Sequence, residues 1–262
     1  MLCFAVYPVN KIAYEQPLNE RTRAFLRLEH LFGCVDHSLQ QPSPWDSRCC
    51  VTGLIDISDL LPRIDIKVEL IKELERHQSK LTSLETRAGV DLERLGETLQ
   101  LIHTVLGALR ANGYDPGQAL RGHELVFAVK QRSTMPGGTC SFDLPAFHYW
   151  LNQPPTVRGE QLKHWVEDLS VVRQSLDLVL RLIRCSSEPA SQLARQGFFQ
   201  QDLDPNASFQ MIRVFLPDDA RCFPEISGSR HRFSIRFMQP SPGGRASKSE
   251  WDVKFELQCC VL

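Results

Sequence analysis

Arg232-Phe233-Ser234-Ile235-Arg236-Phe237 and Trp251-Asp252-Val253-Lys254-Phe255-Glu256-Leu257 alternate apolar and polar residues. Successive side chains of a strand point to opposite faces, so each stretch buries one face and wets the other. The turn-rich loop Pro240 to Ser249 separates them, which predicts an antiparallel hairpin with Arg232 and Arg236 opposite Asp252 and Glu256. Phe209 to Leu216 is a further extended run, too apolar for its faces to be assigned. Upstream of Ser187 the period changes to three or four residues, and the fold class follows: α+β. An N-terminal α-helical bundle domain, 1–187, precedes a C-terminal antiparallel β-sheet domain, 188–262. One strand, 11–17, comes before the helices and is a candidate to join the sheet.

The clearest helix is Asp91 to Asn112. Leu92, Leu95, Leu99, Ile102, Leu106 and Leu109 form a coiled-coil-like seam, Asp91 is a good cap and Gly113 supplies the left-handed stop. Such a seam suits a bundle core or a twin-subunit interface; the core is favoured. Asn19 caps an earlier helix reaching about Leu39, with Phe25, Leu28, Phe32, Val35 and Leu39 as its buried stripe. Another face of that helix carries Arg23, Arg27 and His30 as a short basic ridge. Gln40 to Asp46 reads as a loop, Val51 to Leu61 as a short helix and Asp65 to Thr86 as a longer one. A helix from about His123 ends in Lys130-Gln131-Arg132 and is broken by Met135-Pro136-Gly137-Gly138. Asp143 is expected to cap the next short helix, which holds Phe147, His148, Tyr149 and Trp150. Two more helices, about Val157 to Leu169 and Val171 to Cys185, complete the run.

The 262 residues are 42% hydrophobic and 23% charged, a balance that supports a sizeable core and argues against disorder. The 30 basic and 31 acidic side chains leave a formal charge of -1, and residues from Glu188 onward hold nine of each. Neither part carries the basic field of a nucleic-acid domain. The nine cysteines are odd in number and contain no C-x-x-C spacing, which fits reduced thiols in a cytosolic protein and makes a metal site improbable. The apolar start, Met1 to Asn10, lacks the basic leader of a signal peptide, and no run of about twenty apolar residues follows that could span a membrane.

Gly137-Gly138-Thr139-Cys140-Ser141-Phe142-Asp143 offers a thiol and a hydroxyl, with His148 five residues beyond. A Cys- or Ser-dependent hydrolase needs an oriented base within hydrogen-bond reach, and Asp143 is better explained as the cap of the helix that carries His148. The glycine pair resembles an anion nest but matches neither the P-loop nor the dinucleotide fingerprint. A nucleic-acid-binding helical protein is disfavoured by the neutral charge. The more economical reading joins Arg23 and Arg27 to Lys130, Arg132 and His148 in a cationic cleft bordered by Tyr149 and Trp150, suited to an extended peptide with a carboxylate or two.

The same residues carry a family resemblance. Tyr14-Glu15-Gln16-Pro17-Leu18-Asn19-Glu20-Arg21 followed by Phe25-Leu26-Arg27-Leu28-Glu29 resembles the opening of the ZapD family of Z-ring-associated division proteins. Gln131-Arg132 through Pro136-Gly137-Gly138, Cys140-Ser141-Phe142-Asp143-Leu144-Pro145 and His148-Tyr149-Trp150-Leu151 are similar to its most distinctive block. Gly197-Phe198-Phe199-Gln200, Ile226-Ser227-Gly228 and Phe255-Glu256-Leu257 before Cys259-Cys260 extend the similarity from about Lys11 to the end. The resemblance implies a helical domain joined to a β-domain, a homodimer, and binding to the C-terminal tail of FtsZ in the cytoplasm at midcell. It implies filament bundling rather than catalysis, with no cofactor, no nucleic acid and no membrane. The binding role falls on Arg27 and His148, inside matching motifs, with Lys130 and Arg132 in the same block. Glu124 departs from the pattern: the resemblance leads to an arginine at that place, and here Arg121 and His123 are close by.

Overall fold

The structure, a computed structural model, describes residues 10–87, 89–229 and 231–261. Expectations for the apolar start up to Val9 lie outside the described residues. The chain divides into two compact units: one gathers the described residues up to Leu26 and from Leu180 onward, the other runs from Arg27 to Val179.

The helical unit contains most of α1 (Glu20–Leu39), then α2 (Pro44–Leu60), α3 (Ile66–Thr82), α4 (Leu92–Leu109), α5 (Gln118–Arg121), α6 (Glu124–Ser133), α7 (Pro145–Leu151), α8 (Pro155–Glu167) and most of α9 (Ser170–Arg184). In α4, Asp91 accepts from the Arg94 N–H at 3.1 Å, satisfying one of the unpaired amides of the first turn, and Gly113 takes φ 80° beyond the end. Leu95, Ile102, Leu106 and Leu109 are buried, so this part of the seam is core within the chain. Leu92, in the first turn, is exposed and lies outside it.

α2 begins seven residues earlier than the apolar pattern suggests. Ser43 caps it, its hydroxyl accepting from the Trp45 N–H at 3.1 Å, and Pro44 occupies the first position, where a missing N–H costs nothing. Gly53 lets α1 pack closely, because a Cβ there would meet Val35 Cγ2 at 2.8 Å. Arg158 of α8 is 3% exposed. Its Nε donates to Ser47 Oγ at 3.0 Å, Nη1 to the carbonyls of Leu151 (2.9 Å) and Gln153, and Nη2 to that of Pro42 at 2.5 Å. One buried cation thereby ties α8 to α7 and to the entry of α2.

The other unit contains β1 (Lys11–Pro17), β2 (Ala190–Ala194), β3 (Phe198–Asp202), β4 (Phe209–Pro217), β5 (Phe223–Gly228), β6 (Arg232–Gln239), β7 (Ser247–Lys248) and β8 (Val253–Val261). They form two antiparallel sheets, ordered β1-β4-β8-β2 and β3-β6-β5 with β7 on β6. The strand before the helices joins the first sheet, with Ala13 opposite Phe215. The predicted hairpin does not form: β6 and β8 lie in different sheets. Arg232 Nε bonds Asp202 on β3 at 2.8 Å, while Glu256 accepts from Lys11 on β1 at 2.5 Å and Asp252 from the Gln196 N–H at 2.8 Å. The reason is burial. As hairpin neighbours, both strands would turn their apolar faces toward one side, whereas in facing layers Phe233, Ile235 and Phe237 cover Val253, Phe255 and Leu257. The Phe237 and Phe255 rings meet at 5.0 Å.

β4 is apolar apart from Gln210 and Arg213 because both of its faces are buried. Ile212, Val214 and Leu216 join the inter-sheet core, while Arg213, on the opposite face, bonds Glu15 of β1 through Nε at 2.8 Å. Arg184 holds the same carboxylate through Nε at 2.9 Å and Nη2 at 2.8 Å. Burial pulls the Glu15 carboxyl up, but the hydrogen bonds and charges of Arg184 and Arg213 together outweigh it and hold the pKa below its ordinary 4.5.

Candidate functional site

α6 ends in the two basic residues that its sequence places in the last turn, where they complement the negative end of the helix dipole. Lys130 reaches across to α2 and pairs with Asp59. Arg132 Nη1 lies 3.9 Å from Asp143 Oδ1, across the turn that follows. That turn is made by glycines for different reasons. Gly137 takes φ 72°, and at Gly138 a Cβ would stand 2.4 Å from the Arg132 carbonyl. The chain thus doubles back tightly against the end of α6.

Asp143 does not cap α7, contrary to the sequence expectation. The cap position falls to Leu144 with no side-chain bond, and Pro145 follows with no N–H to be satisfied. Asp143 instead accepts from Cys140 Sγ at 3.1 Å while facing Arg132. The thiol of the candidate nucleophile Cys140 therefore donates to a carboxylate that closes the turn.

On α7, His148 and Tyr149 are exposed, whereas Phe147 and Trp150 turn inward. His148 Nε2 lies 3.5 Å from Asn152 Nδ2. Trp150 donates to Gln161 Oε1 at 2.6 Å and packs 6.1 Å from Trp165, which fixes the face that α7 shows to solvent. Arg27 is exposed on α1 and has no hydrogen-bond or ion-pair partner among the described residues. Arg23 belongs to the other unit and bonds Glu20 at 3.1 Å. Around Glu124, the basic neighbours are already engaged. Arg121 bonds Asp115 at 2.5 Å, and His123 meets Gln161 at 3.0 Å with its ring 4.8 Å from Trp165.

With this geometry in place, comparison with known proteins decides the family. The model of the ZapD cell division proteins matches residues 26–236, a span that includes Arg27, Lys130, Arg132 and His148. The chain belongs to the ZapD family. A "Cell division protein ZapD" of Methylococcus capsulatus is 39% identical over 253 residues, covering 97% of this chain and 99% of the relative. Those of Aromatoleum aromaticum and an Azoarcus species are 37% and 36% identical over 251 residues, covering 98% and 100% of those relatives. Membership in ZapD assigns the chain a role in cell division. Among the described residues no helix is long and apolar enough to cross a membrane.

Sequence reasoning missed Arg48, which positions the ZapD block it touches. From α2 its Nη1 donates to Thr139 O at 2.9 Å and to Thr139 Oγ1 at 2.6 Å, anchoring the glycine turn. Its guanidinium also lies 4.9 Å from the Phe147 ring and 5.6 Å from the Trp45 ring. The signal was the Ser43-Pro44 helix start: reading 40–46 as a loop left Trp45 and Arg48 off any face.

Proposed function

We propose that this chain binds the C-terminal tail of FtsZ and, as a homodimer, cross-links FtsZ filaments in the cytoplasm at midcell without catalysing a reaction. The binding residues are Arg27 and His148, with Lys130 and Arg132 in support. The observation that carries this reading is the exposed Arg132 and His148 on the two helices joined by a turn that Gly138 and Arg48 fix, in a chain whose formal charge is only -1. Local positive charge on a near-neutral protein suits a short acidic segment better than a polyanion.

Arg48, which holds Thr139, and Asp59, which pairs with Lys130, lie eleven positions apart on α2, roughly 16 Å of helix. An extended segment of about five residues covers that length. Ordering a flexible tail costs entropy, so a single contact is weak. A dimer facing a polymer that displays many tails gains from effective concentration, which turns weak contacts into stable bridges. Exposed charges are screened over about 8 Å at physiological ionic strength, so binding weakens with added salt.

Arg27→Ala combined with His148→Ala tests the assignment, with fold verified by circular dichroism. Tail affinity is expected to fall at least tenfold, the loss of two charge-assisted contacts. Unchanged affinity in the folded double variant would reject these residues as the site.

A further inference from the structure

Trp45, Phe142 and Tyr149 are 73%, 82% and 70% exposed, on α2, on the turn between α6 and α7, and on α7; α6 and α7 carry Lys130, Arg132 and His148, and Arg48 of α2 holds that turn at Thr139. Side chains of this size stabilise most when removed from water, and neighbouring exposed aromatics mark interaction surfaces. Arg48 joins two of these elements. Its guanidinium stands 5.6 Å from the exposed Trp45 ring and 4.9 Å from the buried Phe147 ring, while Nη1 holds Thr139, three residues before Phe142. The indole thus has beside it a guanidinium that is itself held by Thr139. Its neighbour's charge is also unspent, because Arg48 meets only rings, a carbonyl and a hydroxyl, and no carboxylate within ion-pair distance among the described residues.

We propose that Trp45 and Phe142 are apolar anchors of the same binding surface, with Arg48 as the positioning residue between them. The segment captured there then carries large apolar side chains beside its carboxylates. This deepens the tail-binding reading and rests on it. Preorganised aromatics beside arginine are where interfaces concentrate affinity. A purely acidic ligand would leave both rings in water, and a purely apolar one would leave Arg48 without a counter-charge. The occupant that satisfies both is an acidic segment with large apolar side chains.

Fluorescence anisotropy of a labelled FtsZ tail peptide with the full chain tests this, at about 0.1 M and about 0.5 M salt. Trp45→Ala and Phe142→Ala are each expected to weaken binding about tenfold at both salts. The Arg27→Ala, His148→Ala pair should lose its effect at the higher salt. Trp45→Phe, which keeps a ring under Arg48, should retain most of the affinity. Phe142 is the more exposed of the two, so its truncation leaves folding intact even if Trp45→Ala does not. Wild-type binding with unchanged affinity in folded Phe142→Ala and Trp45→Ala would overturn the anchors while leaving the tail reading standing. Absence of wild-type binding would sink both. Altered self-association of the variants with intact tail binding would also overturn the proposal, assigning the rings to a second copy of the chain.

Discussion

Arg184 grips both carboxylate oxygens of Glu15, 169 residues earlier in the chain, at 2.9 and 2.8 Å. Arg213 shares the first of those oxygens at 2.8 Å and passes the network to Gln258, whose amide returns to the Arg184 carbonyl at 2.7 Å. The first strand is therefore fastened to the end of α9 and to β4 through one acid. Truncating Arg184→Ala leaves that acid and its partners short of a buried donor and should cost about 3 kcal/mol or more in chemical denaturation.

The same acid gives the protein an acid limit. A carboxyl whose folded pKa is depressed contributes stability above its unfolded value and loses it as pH falls through the folded value. Glu15 is of this kind. Melting temperature should decline as pH drops below about 4.5, and Glu15→Gln should flatten that decline while lowering stability at neutral pH. An unchanged acid profile in Glu15→Gln would remove Glu15 as the source.

Arg158 is only 3% exposed and donates to three carbonyls and a hydroxyl. Arg158→Leu would strand those acceptors, each costing about 1–3 kcal/mol when buried without a partner. Severe destabilisation by urea titration is the expected outcome; a loss below about 1 kcal/mol would show that water replaces the guanidinium.

Gly138 tests whether the turn matters to binding. Gly138→Ala forces backbone to move, since the added carbon would lie 2.4 Å from the Arg132 carbonyl, and overpacking of this kind costs about 1–3 kcal/mol. The displacement should also weaken tail binding in anisotropy. Full affinity in Gly138→Ala would separate the turn from the site.

The helices were legible because their apolar positions repeat over several turns, as in Leu95, Ile102, Leu106 and Leu109, and because Asp91 announces its own start. Four strands, β1, β4, β6 and β8, were legible as extended runs, while the shorter β2, β3, β5 and β7 were not, and the partners of none were. Alternation in 232–237 and 251–257 shows that one face of each is buried, and side-by-side and face-to-face packing satisfy that alike. Within the candidate site, charge and glycine marked the α6–α7 turn. What closes the turn was hidden, because Arg48 comes from ninety-one residues away and Asp143, a natural cap by its position, is drawn off by Cys140 and Arg132.

The central claim is that this protein bridges FtsZ polymers through their tails. Its most direct test is co-sedimentation with polymerised FtsZ, full-length and lacking the C-terminal tail. Full-length polymers should bundle and carry the protein into the pellet, and tailless polymers should leave it in the supernatant. Equal pelleting with both would contradict the account.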